Sequence, residues 1–91
     1  MSERRNRMEI INDMLHAIQQ KGERIKPTHL MYKSNLSHKL LKSYLEELID
    51  KELVKEEITK DNYKYLVITD KGLEFTQKFR QMREFTESFG L

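Results

Sequence analysis

The chain of 91 residues contains no cysteine, which excludes disulfide bonds and thiolate metal ligands and favours a reducing compartment. It also has no apolar run that approaches the length needed to cross a membrane. The basic N-terminus is not followed by a long apolar signal region. We therefore expect a cytoplasmic protein.

Residue sets typical of catalysis are missing as well. The three glycines are isolated, which excludes a glycine-rich loop that binds phosphate. The three histidines, His16, His29 and His38, are far apart and form no His-x-x-x-His pair, which argues against a metal site. Ser37 and His38 are adjacent on a predicted helix, where their side chains diverge and cannot form a nucleophile and base. The sequence therefore predicts a protein that is not an enzyme and has no cofactor.

The length predicts one domain, residues 1–91, with a small core. A chain this short buries only about 60–65% of its unfolded surface, so burial against a second subunit would stabilise it. The net charge is only +2, but its distribution is uneven. Residues 21–43 carry six basic side chains against one acidic side chain, a net charge of +5. Residues 44–61 carry three against seven, a net charge of −4.

A helix within residues 34–50 organises the chain. Its apolar residues recur at helical spacing, and Ser37 is placed to cap its N-terminus. The polar face is basic in the first half and acidic in the second, opposite to the order that the helix dipole favours. That order suits a helix end that approaches phosphates and base edges, although a solvated face explains the charges equally well. The predicted buried face consists of Leu36, Leu40, Leu41, Tyr44, Leu45, Leu48 and Ile49.

A first helix is predicted near the N-terminus. Asn6 and Glu9 have the spacing of a capping box. The helix then continues to about Lys21, and Gly22 suits the left-handed position that often follows a helix. Residues 1–5 form a basic arm, which either follows a DNA backbone or minor groove or is a solvated terminus.

A short strand and a second helix are predicted next. Arg24 and Ile25 can form a connecting strand, and Pro27 suits the first turn of a helix because its missing amide is not needed there. The helix should end at Ser34, where Asn35 tolerates the left-handed backbone of a tight turn. Two helices joined by so short a turn, the second basic at its start, form a helix-turn-helix.

A hairpin is predicted after the central helix. Residues 53–59 and 63–69 read as strands, and the second is rich in aromatic and β-branched residues. The polar residues 60–62 form the tip between them. Three helices followed by a two-stranded wing make an α+β winged helix-turn-helix, which covers residues 6–69. The tip either contacts sugar-phosphate through Lys60 and Lys64 or is a solvated turn.

The last helix, residues 70–89, begins with Thr69 as its N-cap and Asp70 in its first turn. A helix of about twenty residues spans about 30 Å, which is longer than so small a domain can cover. We expect its apolar stripe to pair with the same helix of a second copy; the alternative is that it folds back on the first helix. The predicted dimer interface consists of Phe75, Phe79, Met82, Phe85, Thr86 and Phe89.

Parts of this sequence resemble archaeal winged-helix DNA-binding proteins of the 10a type. The resemblance rests on residues 28–37 (THLMYKSNLS), 44–49 (YLEELI) and 68–72 (ITDKG), and on residues 8–15 (MEIINDML) in the first helix. It implies a homodimer whose C-terminal helices pair as an antiparallel coiled coil and present two domains to duplex DNA. It also implies that the helix beginning at Ser37 is the recognition helix. Members of this family are chromatin-associated or regulatory proteins.

Two departures from that family matter. Glu52 stands where the family usually has glycine, and a left-handed backbone there would cost glutamate about 1–2 kcal/mol. Without a left-handed residue, the chain must leave the helix differently. The last helix is also shorter than in members with long coiled coils, which leaves the spacing of the two recognition helices open.

These observations predict a homodimer that binds double-stranded DNA as a transcriptional regulator or nucleoid-associated protein. The alternative is a winged-helix module that docks another protein in a transcription assembly, with residues 44–61 as an acidic docking face. The sequence specifies neither the DNA site, nor an effector, nor activation against repression. The residues predicted to enter the major groove are Ser37, His38, Lys39, Lys42 and Ser43, and those predicted to hold phosphates are Lys26, Thr28, Lys33, Lys60 and Lys64.

Overall fold

The computed structural model describes residues 5–91, so the predicted basic arm lies outside the described residues except for Arg5. The α+β winged helix-turn-helix expected from the sequence is confirmed. Among residues 5–91, no helix combines the length and apolar character needed to span a bilayer. The elements are α1 Arg7–Gln20, β1 Arg24–Ile25, α2 Pro27–Ser34, α3 His38–Asp50, β2 Val54–Ile58, β3 Lys64–Ile68 and α4 Asp70–Ser88.

The three strands form one antiparallel sheet in the order β1-β3-β2. The wing is the β2–β3 hairpin, and the short strand β1 adds a third member at the free edge of β3. Val54 lies opposite Ile68 and Ile25 lies opposite Leu66, so these four side chains share the face that covers the core. All four are buried.

The predicted helix caps are confirmed. Asn6 and Glu9 form the reciprocal capping box, with the Glu9 N–H donating to Asn6 Oδ1 at 2.8 Å and the Asn6 N–H donating to Glu9 Oε1 at 2.9 Å. The Ser37 hydroxyl accepts from the Leu40 N–H at 3.2 Å, and the Thr69 hydroxyl accepts from the Gly72 N–H at 3.0 Å. Each cap satisfies an amide that would otherwise lack a partner at a helix start.

The core lies between α1 and the inner face of the sheet, with α2 and α3 closing its sides. Met14, Leu15 and Ile18 of α1 are fully buried at its centre. The prediction that Leu40 belongs to the buried face of α3 is wrong, because 47% of its surface is exposed. Adjacent helical residues are separated by about 100° around the axis, so Leu40 is turned away when Leu41 points inward.

The chain leaves α3 through a left-handed residue at Glu52, which is one of the two possibilities that the sequence allowed. Glu52 has a φ of 64° and donates its N–H to the Ile49 carbonyl oxygen at 3.0 Å. Asn35 has a φ of 55° in the turn between α2 and α3, as predicted. Asparagine tolerates this conformation better than glutamate does, so the strain is greater at Glu52 than at Asn35. Glu23, with a φ of 71°, carries the same kind of strain.

Helix α4 packs along α1 in the opposite direction. Leu73, in its first turns, lines a groove together with Gln20 at the end of α1, and Arg83 lies 3.7 Å from the carboxylate of Glu9 at the start of α1. Phe79 is only 8% exposed and stacks with Phe75 at 6.2 Å between ring centroids. The first half of the apolar stripe is therefore covered by its own chain, which is the alternative that the sequence had left open for that half.

The second half of that stripe is uncovered. Met82, Phe85 and Phe89 are each more than half exposed, and the rings of Phe85 and Phe89 contact each other at 5.1 Å. Arg83 lies beside the first turn of α1, and α4 runs in the opposite direction. These residues therefore occupy the part of α4 that approaches and passes the N-terminus of α1. We refer to Met82, Phe85 and Phe89 as the α4 stripe.

Candidate nucleic-acid interface

The first half of α3 presents an exposed basic surface. Ser37, His38, Lys39, Lys42 and Ser43 are all exposed, and together they cover the first turn and a half of the helix. Among residues 5–91, no carboxylate forms an ion pair with Lys39 or Lys42. Two lysines near the positive end of a helix dipole are destabilising unless an anion approaches them.

Helix α2 lies beside this surface and is joined to the wing. Thr28 and Lys33 are exposed, and so is Lys26, which precedes the helix. The Lys26 ammonium lies 4.6 Å from the centroid of the Tyr63 ring, near the tip of the wing. This cation–π contact links the start of α2 to the wing tip. Tyr63 was not among the predicted site residues, because a contact across 37 residues has no local sequence signal.

The two predicted wing lysines differ in their surroundings. Lys60 is exposed within the tip, whose turn is closed by the Thr59 N–H donating to the Tyr63 carbonyl oxygen at 2.9 Å. Lys64 is exposed too, but its ammonium lies 3.2 Å from Glu56. Since this pair is solvated, it neutralises part of the charge of Lys64 without holding the side chain firmly.

Arg5 braces the turn of the helix-turn-helix. Its guanidinium donates to the carbonyl oxygens of Ser34 at 2.8 Å and Asn35 at 3.1 Å. It also donates to Asp13 Oδ2 at 2.9 Å, which ties α1 to the same turn. Arg5 was predicted as part of a basic arm, and its side chain contacts the turn that positions α3 instead.

A bidentate ion pair joins α1 to the acidic half of α3. Arg7 Nη1 donates to Glu47 Oε1 at 2.7 Å, and its Nη2 donates to Glu47 Oε2. The hydrogen bonds and the charge of Arg7 lower the pKa of the Glu47 carboxyl, and the same contacts raise the pKa of Arg7. The pair connects the acidic half of α3 to α1, while the basic first half of α3 faces solvent.

The acidic segment 44–61 does not form one docking face. Glu47 pairs with Arg7, Glu56 with Lys64, and Glu57 with Arg24 at 3.0 Å. Glu56 lies opposite Leu66 and Glu57 lies opposite Tyr65, so the two carboxylates are on opposite faces of the wing. This arrangement disperses the negative charge that the sequence grouped together.

Metal binding has no site in the part of the chain that the structure describes. Within residues 5–91, no three His, Asp or Glu side chains come close enough together to hold an ion. Two large side chains near the basic surface were not predicted as site residues: Tyr32 of α2 is 74% exposed, and Leu40 of α3 is half-exposed. Exposure of an apolar residue can only be read from the folded chain.

Comparisons with known proteins agree with this architecture. The sequence profile of the winged helix-turn-helix family matches residues 4–87. No curated protein matches the chain.

Solved structures with a similar fold include Sso10a-2, a DNA-binding protein from Sulfolobus solfataricus. It is 22% identical with a TM-score of 0.75, over 94% of this chain and 90% of that one. F93 from STIV, a winged-helix DNA-binding protein, is 21% identical with a TM-score of 0.74, over 89% and 92%. A transcriptional regulator from Thermotoga maritima is 26% identical with a TM-score of 0.69, over 88% and 57%. The match to Sso10a-2 supports, at the level of the fold, the resemblance to the archaeal 10a type.

Proposed function

The chain belongs to the winged helix-turn-helix family, and we propose that it binds double-stranded DNA as a transcriptional regulator or nucleoid-associated protein. The observation that carries this proposal is the exposed basic half of α3, which meets no carboxylate among the described residues. Sso10a-2 and F93 are themselves DNA-binding proteins, which supports the same conclusion.

In the proposed complex, α3 enters the major groove with its N-terminal half. An α-helix fits this groove, and side chains of its first turns reach the base edges. Lysine donates hydrogen bonds to guanine, whereas serine and histidine side chains can both donate and accept. The proposed base-reading residues are Ser37, His38, Lys39, Lys42 and Ser43.

Phosphate contacts on both sides of α3 would set its depth and angle. Lys26, Thr28 and Lys33 lie on or just before α2, whereas Lys60 and Lys64 lie on the wing. Contacts to phosphates position a protein on the duplex without reading its sequence. The Lys26–Tyr63 contact supports this arrangement because it brings the start of α2 and the tip of the wing together.

We further propose that the protein is a homodimer through α4. The α4 stripe leaves three large apolar side chains exposed on a domain whose core is small, and pairing with a second copy would bury them. Thr86 is half-buried beside them, whereas Phe75 and Phe79 support the interface from within each chain. A two-fold dimer would present two copies of α3 to one duplex.

Fluorescence anisotropy with labelled duplex DNA at two salt concentrations tests the proposal. The log of the affinity should fall linearly with the log of the salt concentration, with a slope of about −0.9 for each phosphate neutralised. Lys39→Glu combined with Lys42→Glu should weaken binding by about a hundredfold, since each lost contact costs about tenfold.

The matched control is Lys51→Glu combined with Lys78→Glu, which makes the same charge change at exposed positions away from the first half of α3. This control should lose much less affinity than the α3 variant does. Equal losses in both variants would mean that net charge, and not α3, determines binding. Failure of the folded wild-type protein to bind any duplex at low salt would refute the proposal.

A further inference from the structure

A cleft of about 400 Å³ lies beside the edge strand β1, outside the proposed base-reading surface. Its size falls in the range of about 300–1,000 Å³ that is typical of sites for small ligands. Among residues 5–91, no acidic residue lines it, and three of its six lining residues are lysine or arginine. We call it the β1 cleft; its lining residues are Lys21, Arg24, Ile25, Lys26, His29 and Tyr65.

The cations of this cleft are held by ordered backbone. Lys21 caps the end of α1, Arg24 belongs to β1, and Lys26 occupies the N-cap position of α2. Ile25, between Arg24 and Lys26, is only 1% exposed, so its side chain anchors the segment between α1 and α2 in the core. The basic groups therefore converge because of the fold and are not scattered along a flexible loop.

Aromatic rings orient two of these cations. The Arg24 guanidinium lies 4.4 Å from the centroid of the Tyr65 ring, and Lys26 lies over Tyr63. Arg24 also forms a 3.0 Å ion pair with Glu57, which balances one positive charge. Among residues 5–91, neither Lys21 nor Lys26 forms an ion pair, so the cleft keeps an excess of positive charge that an anion would stabilise.

We infer that the β1 cleft binds a phosphate group, with Lys21, Arg24 and Lys26 as its charged ligands. Three cations from three elements match a group that spreads its negative charge over several oxygens, and the arginine fork can donate two parallel hydrogen bonds. Tyr65 and His29 also line the cleft, and both carry hydrogen-bond donors. The phosphate belongs either to the DNA backbone that passes the wing or to a free phosphorylated molecule, and the site itself does not depend on DNA binding.

Titration of the full chain with sodium pyrophosphate at constant ionic strength, followed by amide NMR, tests this inference. The amide signals of residues 21–26 and of Thr28 and His29 should shift and saturate; Pro27 has no amide proton. Lys21→Gln combined with Arg24→Gln should raise the dissociation constant for pyrophosphate by at least about tenfold, as expected from the loss of charged hydrogen bonds. The control is Lys51→Gln combined with Lys78→Gln, which removes the same charge from exposed positions outside the cleft and should leave pyrophosphate binding unchanged.

Two results would overturn the inference: a titration without saturation, or equal weakening in the cleft variant and the control. Arg24→Gln also removes the contacts of Arg24 with Glu57 and Tyr65, so Lys21→Gln alone serves as a second variant. Lys21 is exposed, and its side chain forms no ion pair among residues 5–91, so this variant should keep the fold and still weaken binding several-fold. Unchanged pyrophosphate binding by that folded variant would remove Lys21 from the site and overturn the three-cation assignment.

Once saturable pyrophosphate binding has been found, the salt dependence of duplex binding distinguishes the two sources of the phosphate. If DNA occupies the cleft, the negative slope of log affinity against log salt should become shallower by about 1–2 in the Lys21→Gln, Arg24→Gln variant. An unchanged slope would assign the cleft to a free phosphorylated molecule. A wild-type protein that bound no DNA at all would refute the proposed function while the pyrophosphate titration still decided the cleft.

Discussion

The Thr69 hydroxyl donates a hydrogen bond to the carbonyl oxygen of Glu52 at 2.7 Å, and so connects the exit from α3 to the start of α4. The same hydroxyl oxygen accepts from the Gly72 N–H and lies 3.0 Å from the Leu53 carbonyl oxygen. One threonine therefore caps α4 and binds the segment in which Glu52 is left-handed. The proposed DNA-reading helix and the proposed dimer helix meet at this point.

Replacement of Glu52 by glycine should stabilise the protein. The left-handed φ of 64° strains glutamate by about 1–2 kcal/mol, whereas glycine adopts it freely and loses about 0.5–1 kcal/mol of chain entropy. We expect a net gain of about 0.5–1 kcal/mol in the free energy of unfolding by urea denaturation. Glu46→Gly, inside α3, is the control and should lose about 1 kcal/mol. A loss in both variants would show that Glu52 is not strained.

Local signals explain why so much of the fold could be predicted. The caps at Asn6, Ser37 and Thr69 depend on residues three positions away, and the apolar spacing of α1 and α3 is visible along the chain. The position of Asn35 followed from its tolerance of a left-handed backbone. Such features are set by neighbours in sequence, so they do not require knowledge of the packing.

The parts that escaped prediction depend on distant residues. Arg5 reaches the turn at Ser34, and Lys26 reaches Tyr63 on the wing, across 29 and 37 residues. Leu40 fits the apolar period and is therefore expected on the buried face, but the orientation of α3 is set by its packing on β2. The β1 cleft had no signal for the same reason, since its walls come from α1, β1, α2 and β3.

The Arg7–Glu47 pair predicts a stability that depends on pH. The pKa of Glu47 is lower in the folded protein than in the unfolded chain, so its stabilisation is complete above the unfolded value, about 4.3. It is lost as the pH falls through the folded value. Glu47→Gln should therefore be less stable than wild type at neutral pH, and the difference should shrink in acid.

Urea denaturation of both proteins at neutral pH and at about pH 3 measures this effect. Glu46→Gln is the control, because Glu46 is exposed, lies one residue earlier on α3 and forms no ion pair among the described residues. Its difference from wild type should be small at both pH values. A Glu47→Gln difference that did not change with pH would assign the effect to packing and not to the charge of the pair.

Gly72 should resist replacement although it lies in a helix. A Cβ atom at this position would overlap the Leu53 carbonyl oxygen and lie 2.7 Å from Ile68 Cγ1. Overpacking costs about 1–3 kcal/mol, and the better helix propensity of alanine returns about 1 kcal/mol. The overlap is with a backbone oxygen, which cannot rotate away, so we expect the upper end of that cost and a fall of about 2 kcal/mol in the free energy of unfolding of Gly72→Ala. Gln77→Ala, on the exposed side of α4, should change it by less than about 0.5 kcal/mol. No loss in Gly72→Ala would show that the start of α4 can move away from the sheet.

The α4 stripe makes the dimer testable without disturbing the core. Phe85 and Phe89 are 63% and 67% exposed in the single chain, so their replacement removes little internal packing. Phe85→Glu combined with Phe89→Glu places two pairs of like charges in the proposed interface, where desolvation makes them costly. Light scattering should give twice the chain mass of 11.0 kDa for wild type and the single mass for this variant.

Gln77→Glu combined with Gln81→Glu adds the same charge to exposed positions of α4 outside the stripe, so this control should remain a dimer. Circular dichroism of all three proteins should show the same helix content, because Phe79 still anchors α4 on α1. A folded monomer should also lose the affinity gained from two half-sites on one duplex, since two linked binding events reinforce each other. A monomeric wild type would refute the proposed dimer. A Phe85→Glu, Phe89→Glu variant that stayed dimeric would place the dimer interface outside the α4 stripe. The α4 stripe would then be free to meet a different partner.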